Sequence, residues 1–222
     1  MNTVMRVPLS SESATVEIRV RGRVQGVGFR PMVWRHAREL GLKGLVLNDA
    51  EGVLIRAEGQ TSSLRKLIAR MESEAPPLAS VESIEIASYD GRLPQPFEIV
   101  ESKSGKTNTQ VTPDAAMCAD CANDIFDPFS RRFRYPFTTC TNCGPRLSIV
   151  AAMPYDRATT SMAGFDLCPA CAEEYKNPTD RRFHAETTAC HACGPRVRWR
   201  LGPYPKGRDR RNQRPWRLSS RL

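Results

Sequence analysis

A glycine-rich segment that ends in an arginine is the first stretch whose residue types could do chemistry. The run RGRVQGVGFRP, residues 21–31, has three glycines within seven positions and no acid, and it places Arg30 next to Pro31. Glycines allow positive φ and close approach to a ligand, and Pro31 favours a first helical turn. Free amides at a helix N-terminus favour an anion, and a guanidinium can donate two hydrogen bonds to one phosphate. The segment predicts a phosphate site, although a plain glycine-rich connection would carry the same pattern.

Eight cysteines form the second chemical group, and all of them lie in the second half of the chain. The spacing C-x2-C-x18-C-x2-C occurs twice, and a shift of 50 residues overlays the two copies, which also share RRF and CGPR. This is an internal duplication. Four thiolates in two close pairs are typical of a closed, tetrahedral, structural zinc site. The sequence predicts two structural zinc ions, one held by Cys118, Cys121, Cys140 and Cys143, the other by Cys168, Cys171, Cys190 and Cys193.

Other interpretations of the cysteine array stay open at this stage. A nested arrangement, with the outer pairs sharing one zinc and the inner pairs the other, has the same stoichiometry. Redox-active pairs are the alternative to metal ligands, but four pairs with duplicated spacing favour zinc. Since four cysteines fill each site, we interpret both zincs as structural and His184 and His191 as bystanders. The arginine pair of the repeated RRF occurs once in each copy. These arginines are expected to form a solvated face or partner contacts; they are Arg131, Arg132, Arg181 and Arg182.

Charge and hydropathy restrict the class of protein. The net charge is +9, but residues 200–222 hold eight basic residues and one acid, so this tail accounts for +7. The folded part therefore gives no electrostatic indication of nucleic-acid binding, and stacking aromatics are not clearly patterned. The sequence contains no apolar run long enough to predict a secretion signal or a membrane span. We expect a cytoplasmic protein without a membrane partner, where cysteines are metal ligands more often than disulfides.

Periodicity divides the chain into two folded regions. Alternating residues Val16, Ile18 and Val20 predict a strand, and later patterns give the order β-α-β-β-α-β with a short final strand. This order is the ferredoxin-like split βαβ arrangement. The fold class expected is α+β, a ferredoxin-like sandwich followed by two four-cysteine zinc-finger modules. The expected boundaries are 1–13 for an N-terminal extension, 14–101 for the sandwich, 102–111 for a linker, 112–199 for the duplicated module, and 200–222 for a basic, disordered tail.

The run VRGRVQGVGFRPMVWRHARELGLKGLVLNDAEGVLIRAEG resembles the acylphosphatase family. The resemblance covers residues 14–101 and implies hydrolysis of an acyl phosphate. In that family the loop arginine binds the phosphoryl group and an asparagine at the end of the second strand orients the attacking water. These roles fall on Arg30 and Asn48, and loop amides complete the phosphate-binding cradle, at Gln25, Gly26, Val27, Gly28 and Phe29.

Together with RYPFTTCTNCGPR and MPYDRATTSMAGFDLCPACAEEY, the two regions resemble the N-terminal part of the HypF family, the carbamoyltransferases of [NiFe]-hydrogenase maturation. The resemblance covers residues 14–199 and implies that the first domain cleaves carbamoyl phosphate while the zinc module acts as a scaffold. Family members continue with domains that make carbamoyl adenylate and pass the carbamoyl group to a cysteine of a partner protein. Residues 200–222 look unlike such a domain and resemble a shifted reading frame or a truncated product. We therefore expect cleavage without ATP dependence and without transfer.

Three classes of function remain in view from the sequence. The first is a phosphohydrolase acting on carbamoyl phosphate or another acyl phosphate, with Arg30 and Asn48 as its catalytic residues. The second is a non-catalytic, zinc-binding scaffold fragment. The third, which the charge distribution disfavours, is a nucleic-acid-binding zinc protein.

Overall fold

A mixed six-stranded sheet carries the first region of the protein. The computed structural model describes residues 3–4, 12–102 and 110–197. The sheet order is β1-β5-β2-β4-β3-β6, with β1 and β6 pairing parallel to their neighbours and the four central strands antiparallel. The strands are β1 Thr3–Val4, β2 Ser13–Arg23, β3 Lys43–Asp49, β4 Gly52–Gln60, β5 Ser80–Ser88 and β6 Glu98–Ile99; the helices are α1 Phe29–Glu39 and α2 Thr61–Ser73.

The observed element order confirms the predicted α+β fold. Strand β2 buries Val16, Ile18 and Val20 at 2% exposure or less, as their alternation predicts. Helix α2 fully buries Leu64 and Leu67 on its inner face. These side chains belong to one core formed between the sheet and the two helices. The short strand β1 was not predicted, because two residues are too few to show a period.

The second region has little regular structure. Its two α-helices are α3 Ala119–Phe126 and α4 Pro169–Lys176, and each begins directly after the first cysteine of its copy. Three short 3-10 turns lie between the copies, at Leu147–Ile149, Arg157–Thr159 and Ser161–Gly164. Apart from the cysteines, the buried apolar cluster of this region consists of Tyr135, Met162 and Ala189. A core this small predicts that the region depends on another source of stability.

Several predicted segments lie largely or wholly outside the described residues. They are the N-terminal extension 1–13, the linker 102–111 and the basic tail 200–222. The domain boundaries drawn through them remain predictions. Within the described ranges, no helix has the length and apolar character needed to cross a bilayer.

Candidate functional site

The glycine loop and the start of α1 form the floor of the candidate site. Gly26 and Gly28 have φ of 70° and 83°, a conformation that favours glycine. A side chain at Gly26 would also place its Cβ 3.2 Å from the ring of Tyr155. Gly28 caps α1 without any side-chain hydrogen bond. Among the described residues, the backbone amides of residues 25–28 donate to no acceptor of the chain. This loop therefore presents free N–H groups beside a positive helix end.

Residues of the second region form hydrogen bonds with this loop and fix its conformation. The Nε of Arg146 donates to the carbonyl oxygen of Gly26 at 2.6 Å, and Thr112 Oγ1 donates to that of Gln25 at 3.2 Å. The backbone amide of Tyr155 donates to Gln25 Oε1 at 3.0 Å. Arg146 itself is only 2% exposed, and its hydrogen bond to the loop is partly buried. The loop conformation is thus fixed jointly by both regions.

Arg30, the predicted phosphate ligand, is buried between the two regions. Its Nη2 donates to Asp156 Oδ1 at 2.7 Å, to Glu186 Oε1 at 3.0 Å and to the carbonyl oxygen of Tyr155 at 3.3 Å. Its Nη1 lies 3.4 Å from Ser102 Oγ. Burial alone would lower the pKa of Arg30, but the charges of Glu186 and Asp156 raise it above its ordinary value. The guanidinium therefore stays charged.

Asn48, the predicted water-orienting residue, lies at the end of β3 and is 1% exposed. Its Nδ2 donates to the carbonyl oxygen of Tyr155 at 3.2 Å. The same carbonyl accepts from Arg30, so one backbone oxygen joins the two residues that the sequence singled out. The Oδ1 of Asn48 is buried with no hydrogen-bond partner among the described residues. An oxygen in this position can accept a hydrogen bond from a bound small molecule.

A cleft lies over these groups and is lined by both regions. Its walls include Arg30 and Asn48 on one side and Arg146, His184 and Glu186 on the other. Burial, together with the charge of Arg30, lowers the pKa of His184 to about 4, so the imidazole is neutral at neutral pH. The cleft therefore combines charged guanidinium groups, one carboxylate and a neutral ring, which suits a small anion that also carries polar groups.

The eight cysteines gather into two separate clusters. Within each cluster the four Sγ atoms lie within 4.8 Å of one another. Individual Sγ–Sγ distances run from 3.5 to 3.8 Å. A zinc ion with bonds of about 2.3 Å to a tetrahedron of sulfurs requires neighbouring sulfurs about 3.8 Å apart. The clusters fit two zinc ions and group the cysteines copy by copy, as Cys118, Cys121, Cys140 and Cys143, and as Cys168, Cys171, Cys190 and Cys193.

The duplicated arginines brace the two copies against each other. Arg132 of the first copy donates to Ala189 O at 2.9 Å and to Glu174 Oε1 at 2.9 Å in the second copy. Arg182 of the second copy donates to Thr139 O at 3.1 Å and to a carboxylate oxygen of Asp124 in the first copy. The two arginines are 2% and 4% exposed. The expectation of a solvated face is therefore wrong for both.

The neighbouring arginines reach the metal clusters themselves. Arg131 Nη2 lies 3.3 Å from Cys171 Sγ, and Arg181 Nη1 lies 3.4 Å from Cys121 Sγ. Each copy thus supplies a donor to a sulfur of the other copy. Such N–H contacts stabilise the negative charge of a thiolate cluster and orient its ligands. Although burial opposes it, hydrogen bonds from Arg132 and Arg131 lower the pKa of Glu174 to about 2.

Replacing Arg132 by alanine should destabilise the second region by about 3 kcal/mol, because Glu174 then keeps only the more exposed Arg131 as its cation among the described residues. The buried carbonyl oxygen of Ala189 also loses its donor. Arg131→Ala is a matched control. The Arg131 side chain is 33% exposed, and pairs of this kind contribute about 1 kcal/mol or less. The urea midpoint of zinc-loaded protein measures both effects. Equal shifts for the two variants would contradict the bracing role.

Reasoning from the sequence missed most of the residues that surround Arg30. Asp156, Glu186 and Arg146 lie in irregular segments more than 100 residues away along the chain. Two signals could have pointed to them: the shared CGPR contains Arg146, and the run MPYDRATTSMAGFDLCPACAEEY contains Asp156. His184, interpreted as a bystander, lines the cleft. His191 lies outside it and pairs through Nε2 with the carbonyl oxygen of Phe133 at 2.9 Å.

Comparison with known proteins gives a family match for each of the two regions. Residues 16–99 match the acylphosphatase family model. Residues 117–150 and 167–200 match the HypF finger model. An acylphosphatase from Archaeoglobus fulgidus is 44% identical over 85 residues, which are 38% of this chain and 94% of that protein.

Longer relatives match across both regions. Carbamoyltransferase HypF of Rhodobacter capsulatus is 55% identical over 149 residues, which are 67% of this chain and 20% of that protein. A crystal structure of full-length HypF in a phosphate- and nucleotide-bound form superposes with a TM-score of 0.80 at 42% identity, covering 86% of this chain and 25% of the other. The chain spans about a fifth of the length of the curated HypF relatives. Residues 16–99 thus belong to the acylphosphatase family, and the chain corresponds to the N-terminal acylphosphatase and finger portion of the longer HypF proteins.

Proposed function

We propose that this chain hydrolyses carbamoyl phosphate, or a related acyl phosphate, at the cleft between its two regions. The observation that carries the proposal is the arrangement of Arg30 and Asn48 around one carbonyl oxygen, beside a loop with free amides. Phosphoryl transfer depends mainly on positioning and on stabilising charge. A cationic fork, a nest of amides and one side chain that can orient water satisfy those needs.

In the proposed reaction, water attacks phosphorus and the bond from phosphorus to the bridging oxygen breaks. Carbamoyl phosphate dianion and water become carbamate and dihydrogen phosphate, with atoms and charge conserved. Arg30 and the amides of residues 25–29 neutralise the equatorial oxygens, while Asn48 Oδ1 accepts a hydrogen bond from the attacking water. Because carbamate is a weak base, no strong general acid is required. Asparagine cannot serve as a general base, so the water proton passes to a phosphate oxygen.

Two zinc ions are proposed to be structural in this function. The eight cysteines would hold them copy by copy, and closed four-sulfur sites leave no position for a substrate. When bound, the ions supply cross-links that fix the irregular second region. Its residues Arg146, Asp156 and Glu186 are then held against the glycine loop and Arg30.

By analogy with the carbamoyltransferases that the chain resembles, the wider role proposed is in hydrogenase maturation. Carbamate formed here would be passed to later steps that use ATP and an acceptor cysteine on a partner protein. The described residues offer groups for cleavage alone. We therefore expect the chain itself to release phosphate without ATP.

Phosphate release from carbamoyl phosphate and from acetyl phosphate, measured side by side with and without ATP, tests this function. The expected result is release from carbamoyl phosphate well above the uncatalysed rate, unchanged by ATP. The second candidate is a non-catalytic scaffold. It is favoured by the complete engagement of Arg30 Nη2 with protein acceptors. A rate no higher than the blank for both substrates would support the scaffold and reject the hydrolase.

A further inference from the structure

Every described hydrogen bond of the Arg30 guanidinium goes to a residue outside the sheet and its two helices. Its acceptors lie in the segment around Tyr155 and Asp156, at Glu186, and at Ser102. Within the part of the chain that the structure describes, Nη2 is the one guanidinium nitrogen that donates to carboxylates. Among the described residues, Nε has no acceptor, and Nη1 has one long contact at 3.4 Å. Nη2 is therefore held by the protein, while Nε and Nη1, which lie on opposite sides of the guanidinium, can each still donate singly to a ligand.

Glu186 is itself fixed firmly. It is 4% exposed, and its second oxygen, Oε2, accepts from the Tyr175 hydroxyl at 3.0 Å and from the backbone amide of Arg157 at 3.1 Å. The Arg157 guanidinium donates to the backbone oxygen of Glu186 at 2.6 Å and to that of Thr188 at 3.0 Å. A carboxylate held by three separate groups cannot swing away from its partner without breaking several buried hydrogen bonds.

We propose that Glu186, assisted by Asp156, is a positioning residue for Arg30, so that the second region completes the phosphohydrolase centre. This inference rests on the proposed function. The carboxylates hold Nη2, fix the plane of the guanidinium and leave Nη1 and Nε to meet the phosphoryl oxygens. The rigid surroundings of Glu186 favour this role over a movable gate that releases Arg30 when substrate arrives.

The local charges are compatible with this role. Two guanidinium groups, those of Arg30 and Arg146, line the cleft together with the carboxylate of Glu186. The Arg146 guanidinium donates to backbone oxygens and not to a carboxylate in the described residues, so it can attract an anion even while Arg30 is paired. The carboxylates thus set the direction of the guanidinium without cancelling the attraction for phosphate.

The test compares wild type with Glu186→Gln and Asp156→Asn, using carbamoyl phosphate as substrate. Glu173→Gln, which removes an exposed carboxylate of the same region, is the matched control. We expect Glu186→Gln to lower kcat about tenfold or more, because a small misplacement of a catalytic group has effects of this size. KM should stay within about threefold, since the positive charge of Arg30 is retained. Asp156→Asn should lower kcat by a smaller factor and should also leave KM nearly unchanged. Glu173→Gln should have the kcat and KM of the wild type.

A second readout separates this inference from the proposed function. The side-chain Nη2–H signal of Arg30 in ¹⁵N–¹H NMR, assigned by its disappearance in Arg30→Lys, should exchange slowly with water in wild type, because Nη2 donates to Asp156 and Glu186. It should exchange faster in both carboxylate variants, whether or not the protein hydrolyses the substrate. An unchanged exchange rate and an unchanged kcat in Glu186→Gln would overturn the positioning role. An increase in kcat would also overturn it, because it would show that Glu186 restrains Arg30 as a gate. Wild-type protein with the protected signal but no hydrolysis would instead reject the proposed function alone.

Discussion

Chelating zinc from the reduced chain is expected to unfold residues 112–199 and to leave the six-stranded domain folded. The first domain buries twenty apolar side chains in one core. The main apolar cluster of the second region consists of Tyr135, Met162 and Ala189 with a few half-buried neighbours. Structural zinc contributes on the order of 10 kcal/mol per site near neutral pH. Removing it eliminates the main source of stability of the second region.

Because each copy donates hydrogen bonds to the other, loss of zinc from one copy should also weaken zinc binding by the other. Cys190→Ser should lose its own zinc and also weaken zinc binding by the first copy, since Arg181 and Arg182 then lose their fixed positions near Cys121 and Asp124. Metal content and amide NMR spectra before and after chelation measure these effects. We expect two zinc ions per chain, with resonances of the second region collapsing on chelation. One zinc or none in reduced, metal-replete protein, or an unchanged spectrum after chelation, would contradict this account.

Substitutions of Arg30 and Asn48 should separate binding from turnover. Arg30→Lys keeps a positive charge beside Glu186 and Asp156 but loses the planar fork, so both phosphate affinity and kcat should fall. Asn48→Ala removes the acceptor for water and leaves the cradle intact, so phosphate affinity should persist while kcat falls. Losing one oriented group at such a centre costs on the order of a hundredfold.

Titration with inorganic phosphate and measurement of carbamoyl phosphate hydrolysis give the two quantities for each variant. Thermal midpoints show whether each variant is folded, a necessary control because Arg30 neutralises the buried carboxylate of Glu186 and the half-buried one of Asp156. Lysine is preferred to alanine at this position for the same reason. Hydrolysis at the wild-type rate by folded Arg30→Lys or Asn48→Ala would exclude that residue from the catalytic centre.

The sequence predicted the sheet because its elements obey a simple period. Val16, Ile18 and Val20 alternate along a strand, and Leu64 and Leu67 follow a helical spacing; all five are buried in one core. The duplication likewise predicted that each copy gathers its own four sulfurs, and the structure groups them in this way. In both cases the contacts follow from local repetition.

The placement of the second region over the glycine loop could not be predicted in this way. The contacts of Arg30 with Asp156 and Glu186 join positions more than 120 residues apart, through segments without strand or helix periodicity. Arg132 and Arg182 were misjudged because arginine is usually exposed. Their burial depends on carboxylates of the other copy, which only the three-dimensional arrangement brings near. Pairing between irregular segments leaves no periodic trace in one sequence.

The central claim is that water attacks phosphorus within the cleft, and hydrolysis of carbamoyl phosphate in ¹⁸O-labelled water tests it most directly. The account predicts one ¹⁸O atom in each released phosphate, a rate far above the blank, and loss of that rate in Asn48→Ala. Phosphate released without the label, or at the rate of the uncatalysed reaction, would contradict it.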